Sequence, residues 1–270
     1  MIMADHTHQL QFMAWKEIQM VFKTDPVILI PMGSMEVQGP HSIVGDYVAA
    51  EEVAQEICRH SDAYVAPVVP FGNSEYFRAY PGTISVQPMT LYHWVMDMCV
   101  SLIEHDITKI IFINGHAGND SILEWVGRDI RREYQLVLGR LNIWRTMPAD
   151  KKRELYGEKA SKVAHGGGQV DAVMRYLHGD CVKEELADVP DIVSKWEQFE
   201  LAGVGKTKID GIEACIYTNL EDISMQGSLG DPFASTAEIG KVYFDRMVEC
   251  GIKFVEKMQA SDMHIKNVKL

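Results

Sequence analysis

The chain has 270 residues, of which 47% are hydrophobic and 24% charged, a balance typical of globular proteins with a sizeable core and unlike disordered or fibrous chains. Its 38 acidic residues outnumber its 26 basic residues, and the net charge of −12 repels phosphate backbones, so we expect no nucleic-acid partner. The five scattered cysteines, the lack of an apolar signal core in residues 1–9 and the lack of any run of about 18 apolar residues favour reduced thiols, a cytoplasmic location and no membrane partner.

Short apolar runs alternate with longer segments in which apolar residues recur at helical spacing. The runs predict strands buried on both faces over residues 26–32, 63–69, 109–114 and 136–144. The longer segments predict helices over residues 47–60, 89–105, 121–134, 170–177 and 236–259. Beyond residue 190 the pattern is less regular until the last helix.

This alternation predicts the fold class α/β, a layer sandwich with a mainly parallel, doubly wound sheet. Residues 27–32 and 109–114 are too apolar for a sheet edge, so we expect them to be central strands. No linker rich in Pro or Ser interrupts the chain, and we therefore expect one domain over residues 1–270.

Functional groups in such a sheet lie in the loops after the carboxyl ends of the strands. The loop over residues 33–46 carries Glu36 and Asp46, and the loop over residues 114–120 carries His116. Two carboxylates and an imidazole suit Zn, Mn or a similar divalent ion with positions left for water. Such an ion activates water and polarises a carbonyl group near neutral pH, so the pattern predicts a metal-dependent hydrolase.

Five sequence motifs also resemble those of a known family, in the same order along the chain. Residues 33–41, GSMEVQGPH, resemble the G-S-x-E-Q-H-G-P-H loop of the creatininase family. The other four matches are residues 80–85 (YPGTIS) to F-P-G-T-x-S, residues 114–119 (NGHAGN) to N-G-H-x-x-N, His165-Gly-Gly to H-x-G, and residues 230–234 (GDPFA) to G-D-P-x-x-A. Together they span residues 30 to 240.

The resemblance implies a metal-dependent hydrolase on a doubly wound fold that opens cyclic amides or amidines and assembles as a homo-oligomer, from dimer to hexamer. It implies Glu36, Asp46 and His116 as metal ligands, with one residue fewer before Asp46 than in the usual loop. Glu36 and His165 are the expected catalytic residues, with His165 managing a proton. Aromatic and apolar residues in the C-terminal third, such as Trp196, Phe199 and Tyr217, have no obvious strand or helix to bury them, which also favours self-association.

The chain departs from the family pattern at the second metal site. Gln38 stands where the family has a histidine ligand, and the family's glutamate ligand is replaced by Gly118, or by Gly168 or Gln169 at the alternative position. Because a neutral amide does not offset the charge of a dication, we expect one tightly bound divalent ion per chain and a second that is weak or absent. Whether Gln38 and Gln169 ligate weakly or only hydrogen-bond the ligands stays open.

Four residues are candidates for binding the small-molecule substrate: Arg78, Tyr80, Gln169 and His41. Arg78 is the only cation in the four polar loops, and its planar fork could hold a carboxylate or a row of hydroxyls. A surface ion pair with Glu75 is the alternative.

Three functions remain open from the sequence. The leading hypothesis is hydrolysis of the C–N bond of a small cyclic amide or amidine. The second keeps the metal site but cleaves a C–C bond in a cyclic diketone derived from inositol, as in hydrolases of 3-dehydro-scyllo-inosose. The third is a degenerate, metal-free binding protein, favoured by the lost second-site ligands.

Overall fold

The fold is built on a small parallel sheet. The computed structural model describes residues 8–266, so most of the N-terminal segment expected to lack a signal core lies outside the described residues. Four parallel strands pair in the order β2-β1-β3-β4, with the bounds β1 Ile28–Met32, β2 Tyr64–Val65, β3 Ile110–Asn114 and β4 Gly139–Asn142. The prediction that the first and third of these runs are central strands is confirmed.

Alternate side chains of the central strands enter two separate hydrophobic cores. Leu29, Ile111 and Ile113 belong to one core, and Ile30 and Phe112 belong to the other. The first core is covered by α2 (Asp46–Arg59), α5 (Ala149–Tyr156), α6 (Gln169–His178) and α7 (Ala237–Gln259). The second is covered by α1 (Trp15–Phe22), α3 (Pro88–Ile103) and α4 (Asp120–Tyr134). Helices thus cover both faces, and the predicted doubly wound α/β fold is confirmed.

The register of the sheet places the functional loops side by side. Met32 pairs with Asn114, and Asn114 pairs with Asn142, so β1, β3 and β4 end at one edge of the sheet. The chain leaving each of these strands therefore starts within a few ångströms of its neighbours. This is why the loops after β1 and β3 can contribute to one site.

Two strands are shorter than the sequence predicts. The run over residues 63–69 gives only the two residues of β2, because Pro67 and Pro70 have no N–H to donate to a ladder, and Val69 makes only an isolated bridge to Met32. The run over residues 136–144 pairs only over β4, because the chain turns into a 3₁₀ helix at Ile143–Arg145.

A second sheet, which the sequence pattern did not predict, lies between α6 and α7. It is an antiparallel meander of four strands in chain order, β5 (Lys195–Trp196), β6 (Phe199–Gly203), β7 (Lys206–Ile209) and β8 (Ile212–Cys215). Most of its residues are exposed, so the alternation that marks a half-buried strand is missing. Within residues 8–266 no helix is both long and apolar enough to span a membrane.

Candidate metal centre

Glu36, Asp46 and His116 converge at the carboxyl edge of the parallel sheet. One ligand atom from each residue lies within 4.8 Å of the others, and the three residues are 3%, 3% and 4% exposed. Asp46 is the first residue of α2, Glu36 lies in the loop after β1, and His116 follows β3 by two residues. The loop closes tightly at Gly33, where a Cβ atom would lie 2.5 Å from Asp46 Oδ1.

The hydrogen bonds of His116 aim one of its nitrogens at both carboxylates. Nε2 lies 2.9 Å from the carbonyl oxygen of Asn73, so its proton is donated there. Nδ1 lies 3.1 Å from Asp46 Oδ2 and 3.2 Å from Glu36 Oε2. A neutral imidazole would therefore point a lone pair at two carboxylate oxygens, a repulsive arrangement that either a proton on Nδ1 or a bound cation relieves. A histidine that donates its second N–H to a backbone carbonyl is the usual form of a metal ligand.

The ionisation of the three groups reflects their crowding. Burial works against a charged His116, but the negative charges of Glu36 and Asp46 outweigh it and raise the pKa of His116 well above its usual range. Burial, together with the charge of Glu36, raises the pKa of Asp46 to about 7. Burial would also raise the pKa of Glu36, but the positive charge and hydrogen bond of His116 lower it. Protons thus offset the crowded negative charge of the centre.

Buried polar groups position the carboxylates. Ser74 Oγ lies 2.6 Å from Glu36 Oε2 and accepts from the hydroxyl of Ser34 at 2.5 Å. The backbone N–H of Ser34 donates to Asp46 Oδ1 at 2.6 Å. Both serines are fully buried. Each carboxylate is therefore held in one orientation, which leaves its other lone pairs directed at the centre.

Gln38 is adjacent to the centre and has one unpaired atom. Its Nε2 donates to Glu36 Oε1 at 3.0 Å, while its Oε1 is buried without a partner among the described residues. A buried carbonyl oxygen without a donor is rare and calls for a water or an ion. The donor set and this orphaned oxygen both fit a divalent ion held by Glu36, Asp46 and His116.

His165 faces the same space from the loop before α6. Its Nε2 lies 2.8 Å from the carbonyl oxygen of Val37, and its ring stacks on Phe77 with centroids 4.4 Å apart and planes 6° apart. Burial lowers the pKa of His165, although the charge of Glu36 opposes this. The ring is therefore neutral at neutral pH, with Nε2 donating and Nδ1 able to accept a proton.

A cavity of about 540 Å³ opens over the centre. Its lining includes Glu36, Asp46, His116, Gln38 and His165, together with residues that follow β2 and β4 or begin α4, such as Asn73, Tyr76, Phe77, Ser121, Trp144 and Arg145. The expected catalytic and metal-binding residues thus share one cavity.

None of the four residues predicted to bind substrate belongs to the described residues that line this cavity. Arg78 forms the surface ion pair with Glu75 at 3.4 Å, with 61% of its side chain exposed. The hydroxyl of Tyr80 donates to the carbonyl oxygen of Ser224.

The other two of these residues hold neighbouring segments together. Gln169 begins α6 and accepts from Lys152 Nζ at 3.2 Å. His41 is buried with its Nε2 3.2 Å from Asp171 Oδ1, which connects the first loop to α6. Their contacts in the structure are thus within the protein.

The sequence analysis missed Ser74, Asn73, Trp144 and Arg145. Ser74 and Asn73 lie in the loop after β2, where short polar side chains gave no ligand pattern. Trp144 and Arg145 follow β4, and the rule that loops after strand ends carry function would have found them if applied to the fourth strand as well.

The comparisons with known proteins identify the family of the chain. The creatininase family, described as creatinine amidohydrolase, matches residues 11–255. The mycofactocin precursor peptide peptidase of Mycolicibacterium smegmatis is 32% identical over 230 residues, which cover 83% of this chain and 81% of the relative. The creatinine amidohydrolase of Pseudomonas putida is 26% identical over 197 residues, which cover 66% of this chain and 75% of the relative.

Solved structures of creatininases share the fold. One crystal structure of creatinine amidohydrolase superposes with a TM-score of 0.78 at 18% identity and covers 94% of this chain and 99% of its own. A structure titled as a manganese creatininase gives a TM-score of 0.76 at 18% identity, covering 93% and 98%. The resemblance seen in the sequence is confirmed: the chain belongs to the creatininase family of metal-dependent hydrolases.

Proposed function

We propose that this protein binds one Zn or Mn ion through Glu36, Asp46 and His116 and hydrolyses an amide-type C–N bond. The observation that carries the proposal is the position of His116 Nδ1, which is within 3.2 Å of oxygens from both carboxylates. Family structures titled with zinc and with manganese support the choice of ions. The names of the relatives, a peptide peptidase and a creatinine amidohydrolase, support the C–N bond.

The residues of the chain have separate roles in this reaction. The bound ion, when present, supplies Lewis acidity to the carbonyl group and lowers the pKa of water. Ser74 and Gln38 hold the two oxygens of Glu36, and Asn73 fixes the tautomer of His116. His165, kept neutral by burial, accepts a proton at Nδ1 and returns it to the leaving nitrogen.

The second metal site is the main departure from the family pattern. Gln38 supplies only a neutral amide there, and at Gly118 a Cβ atom would lie 2.2 Å from the carbonyl oxygen of Asn73. Neither position offers an anionic ligand. We therefore propose that one ion per chain is sufficient, and that any second ion binds weakly.

Two substrate classes follow from this centre. A small cyclic amide or amidine is the class implied by the family, and a linear peptide amide is favoured by the 32% identity to a peptide peptidase. The C–C alternative depended on Arg78 and two glutamines facing a polyol. Arg78 and Gln169 do not line the cavity, so the C–C alternative loses the residues that favoured it.

Product analysis with a substrate panel tests the function. The protein loaded with Zn or Mn is incubated with creatinine, other cyclic amides, N-acetyl dipeptides and 3-dehydro-scyllo-inosose, and new amino or carboxyl groups are quantified. We expect C–N hydrolysis that is lost in His116→Ala and retained in His60→Ala, because His60 is an exposed histidine at the opposite end of α2 from Asp46. Cleavage of the inosose alone would contradict the proposal.

We also propose that the chain self-associates through the antiparallel sheet β5–β8. Trp196, Phe199 and Ile212 in these strands are 43%, 37% and 72% exposed, and Tyr217, two residues after β8, is 89% exposed. Exposed apolar area of this kind marks an interaction surface. Light scattering at micromolar concentration is expected to give a dimer or a larger homo-oligomer, and a monomer would refute the idea.

The five free cysteines support a cytoplasmic location.

A further inference from the structure

Arg145 brings a positive charge to the cavity over the metal centre. It ends the 3₁₀ helix Ile143–Arg145 directly after β4. Among the described residues that line the cavity, it is the only lysine or arginine. The remaining charged groups of the lining are carboxylates and the two histidines of the centre.

The charge of Arg145 is only partly neutralised by its neighbours. Its Nη2 lies 3.2 Å from Asp120 Oδ2, but Asp120 Oδ1 also lies 3.5 Å from Arg140 Nη1. The same carboxylate accepts from Asn114 Nδ2 at 3.0 Å. Two guanidinium groups therefore share one carboxylate, which leaves one positive charge in excess. The side chain of Arg145 is 73% exposed and that of Asp120 is 18% exposed, and both residues line the cavity, so the guanidinium of Arg145 is accessible to a ligand there.

The backbone that carries Arg145 is tied to the metal centre. Asn142 Oδ1 accepts from the N–H of Trp144 at 3.2 Å and closes the turn. The indole N–H of Trp144 donates to the carbonyl oxygen of Gly115, which directly precedes His116. Asp120 holds the guanidinium from the other side. The backbone of Arg145 is thus held at a fixed place relative to His116, which lowers the entropy lost on binding a ligand.

We propose that Arg145 binds a carboxylate of the substrate, so that the enzyme cleaves an amide bond in a molecule that carries a carboxylate near that bond. This inference rests on the proposed C–N hydrolase function and narrows its substrate class. A guanidinium matches a carboxylate through two parallel hydrogen bonds. With a net charge of −12 on the chain, an anionic substrate needs such a local cation to approach the site.

Matched peptide pairs test this assignment. N-acetyl dipeptides with a free carboxylate and the same peptides as C-terminal carboxamides are offered to the metal-loaded wild type, Arg145→Gln, Arg145→Lys and Arg128→Gln. Arg128 is the matched control, because it is 70% exposed and paired with Glu124 at 2.7 Å on α4. Hydrolysis and metal content are measured for every variant.

The wild type is expected to cleave the acids with a kcat/KM about 10-fold higher than that for the amides. This ratio lies in the range expected when a hydrogen bond to a charged group is gained. Arg145→Gln should reduce this ratio to about one, mainly through KM, because the carboxylate takes no part in the bond changes of the reaction. Arg145→Lys should retain part of the preference, and Arg128→Gln all of it, with metal content unchanged throughout.

Equal cleavage of acids and amides by the wild type would overturn the role of Arg145 while leaving the C–N hydrolase intact. A preference that survives in Arg145→Gln, or hydrolysis confined to uncharged rings, would do the same. Failure of every C–N substrate in both panels would instead remove the proposed function, and this inference with it.

Discussion

Gly118 is the position where the smallest possible substitution should disturb the metal centre. It follows His116 by two residues and lies in the turn Ala117–Asn119. A Cβ atom built there would lie 2.2 Å from the carbonyl oxygen of Asn73 and 2.4 Å from His116 Nε2, whereas real Cβ contacts essentially never fall below 3.0 Å. The substitution Gly118→Ala therefore requires a displacement of almost an ångström in groups that hydrogen-bond each other.

The expected cost follows from these contacts. The bond between His116 Nε2 and the carbonyl oxygen of Asn73, now 2.9 Å, must lengthen or break. Loss of such a supporting bond typically lowers metal affinity about 10- to 100-fold. Overpacking a tight site costs about 1–3 kcal/mol of unfolding free energy. We expect both effects in Gly118→Ala.

Calorimetric titration of the metal-free protein with Mn, followed by thermal unfolding, measures both quantities. Gly127→Ala is the matched control, because a Cβ atom at that helical glycine meets nothing within 4 Å. Its metal affinity should equal that of the wild type, and its stability should rise by about 0.5–1 kcal/mol. Wild-type affinity and stability in Gly118→Ala would refute the reasoning.

Two further predictions concern groups away from the centre. Burial raises the pKa of Cys58 and of Cys99 to about 12, so iodoacetamide at pH 8 should label exposed Cys181 and spare these two thiols until the protein unfolds, as peptide mass mapping would show. Burial opposes the ionisation of Asp171, but its histidine partner and Arg175 lower its pKa. The stability that ionised Asp171 contributes is therefore fully present above an unfolded pKa of about 4, and it is lost as the pH falls through the lower pKa of the folded state. Asp171→Asn should cost about 3 kcal/mol at pH 7, and urea unfolding should show this difference shrinking below pH 4.

The central strands and the convergence of Glu36, Asp46 and His116 were predictable for one physical reason. Strands buried on both faces must be continuously apolar, and β1 and β3 are, so their ends mark where polar residues become functional. Because parallel strands end at one edge, Glu36 and His116 could be placed together without coordinates.

Other features left weaker traces in the sequence. Most residues of the strands β5–β8 are exposed, so the burial that produces a periodic pattern is missing. The Asp210-Gly211 turn, with φ of 50° and 80°, is a hairpin signal. Ser74 acts through hydrogen bonds to residues about 40 positions away, a relation that no local pattern encodes. The position of Arg145 could not be predicted without knowing where β4 ends, because the apolar run in the sequence extends past that point.

Metal titration of the apo-protein tests the central claim most directly. We predict saturation by Zn or Mn near one equivalent per chain. Protons should be released on binding, because the pKa of His116 is raised well above its usual range and a metal ligand must be deprotonated. His116→Ala should lose this tight binding. Two equally tight equivalents, or tight binding that persists in His116→Ala, would contradict a single ion held by Glu36, Asp46 and His116.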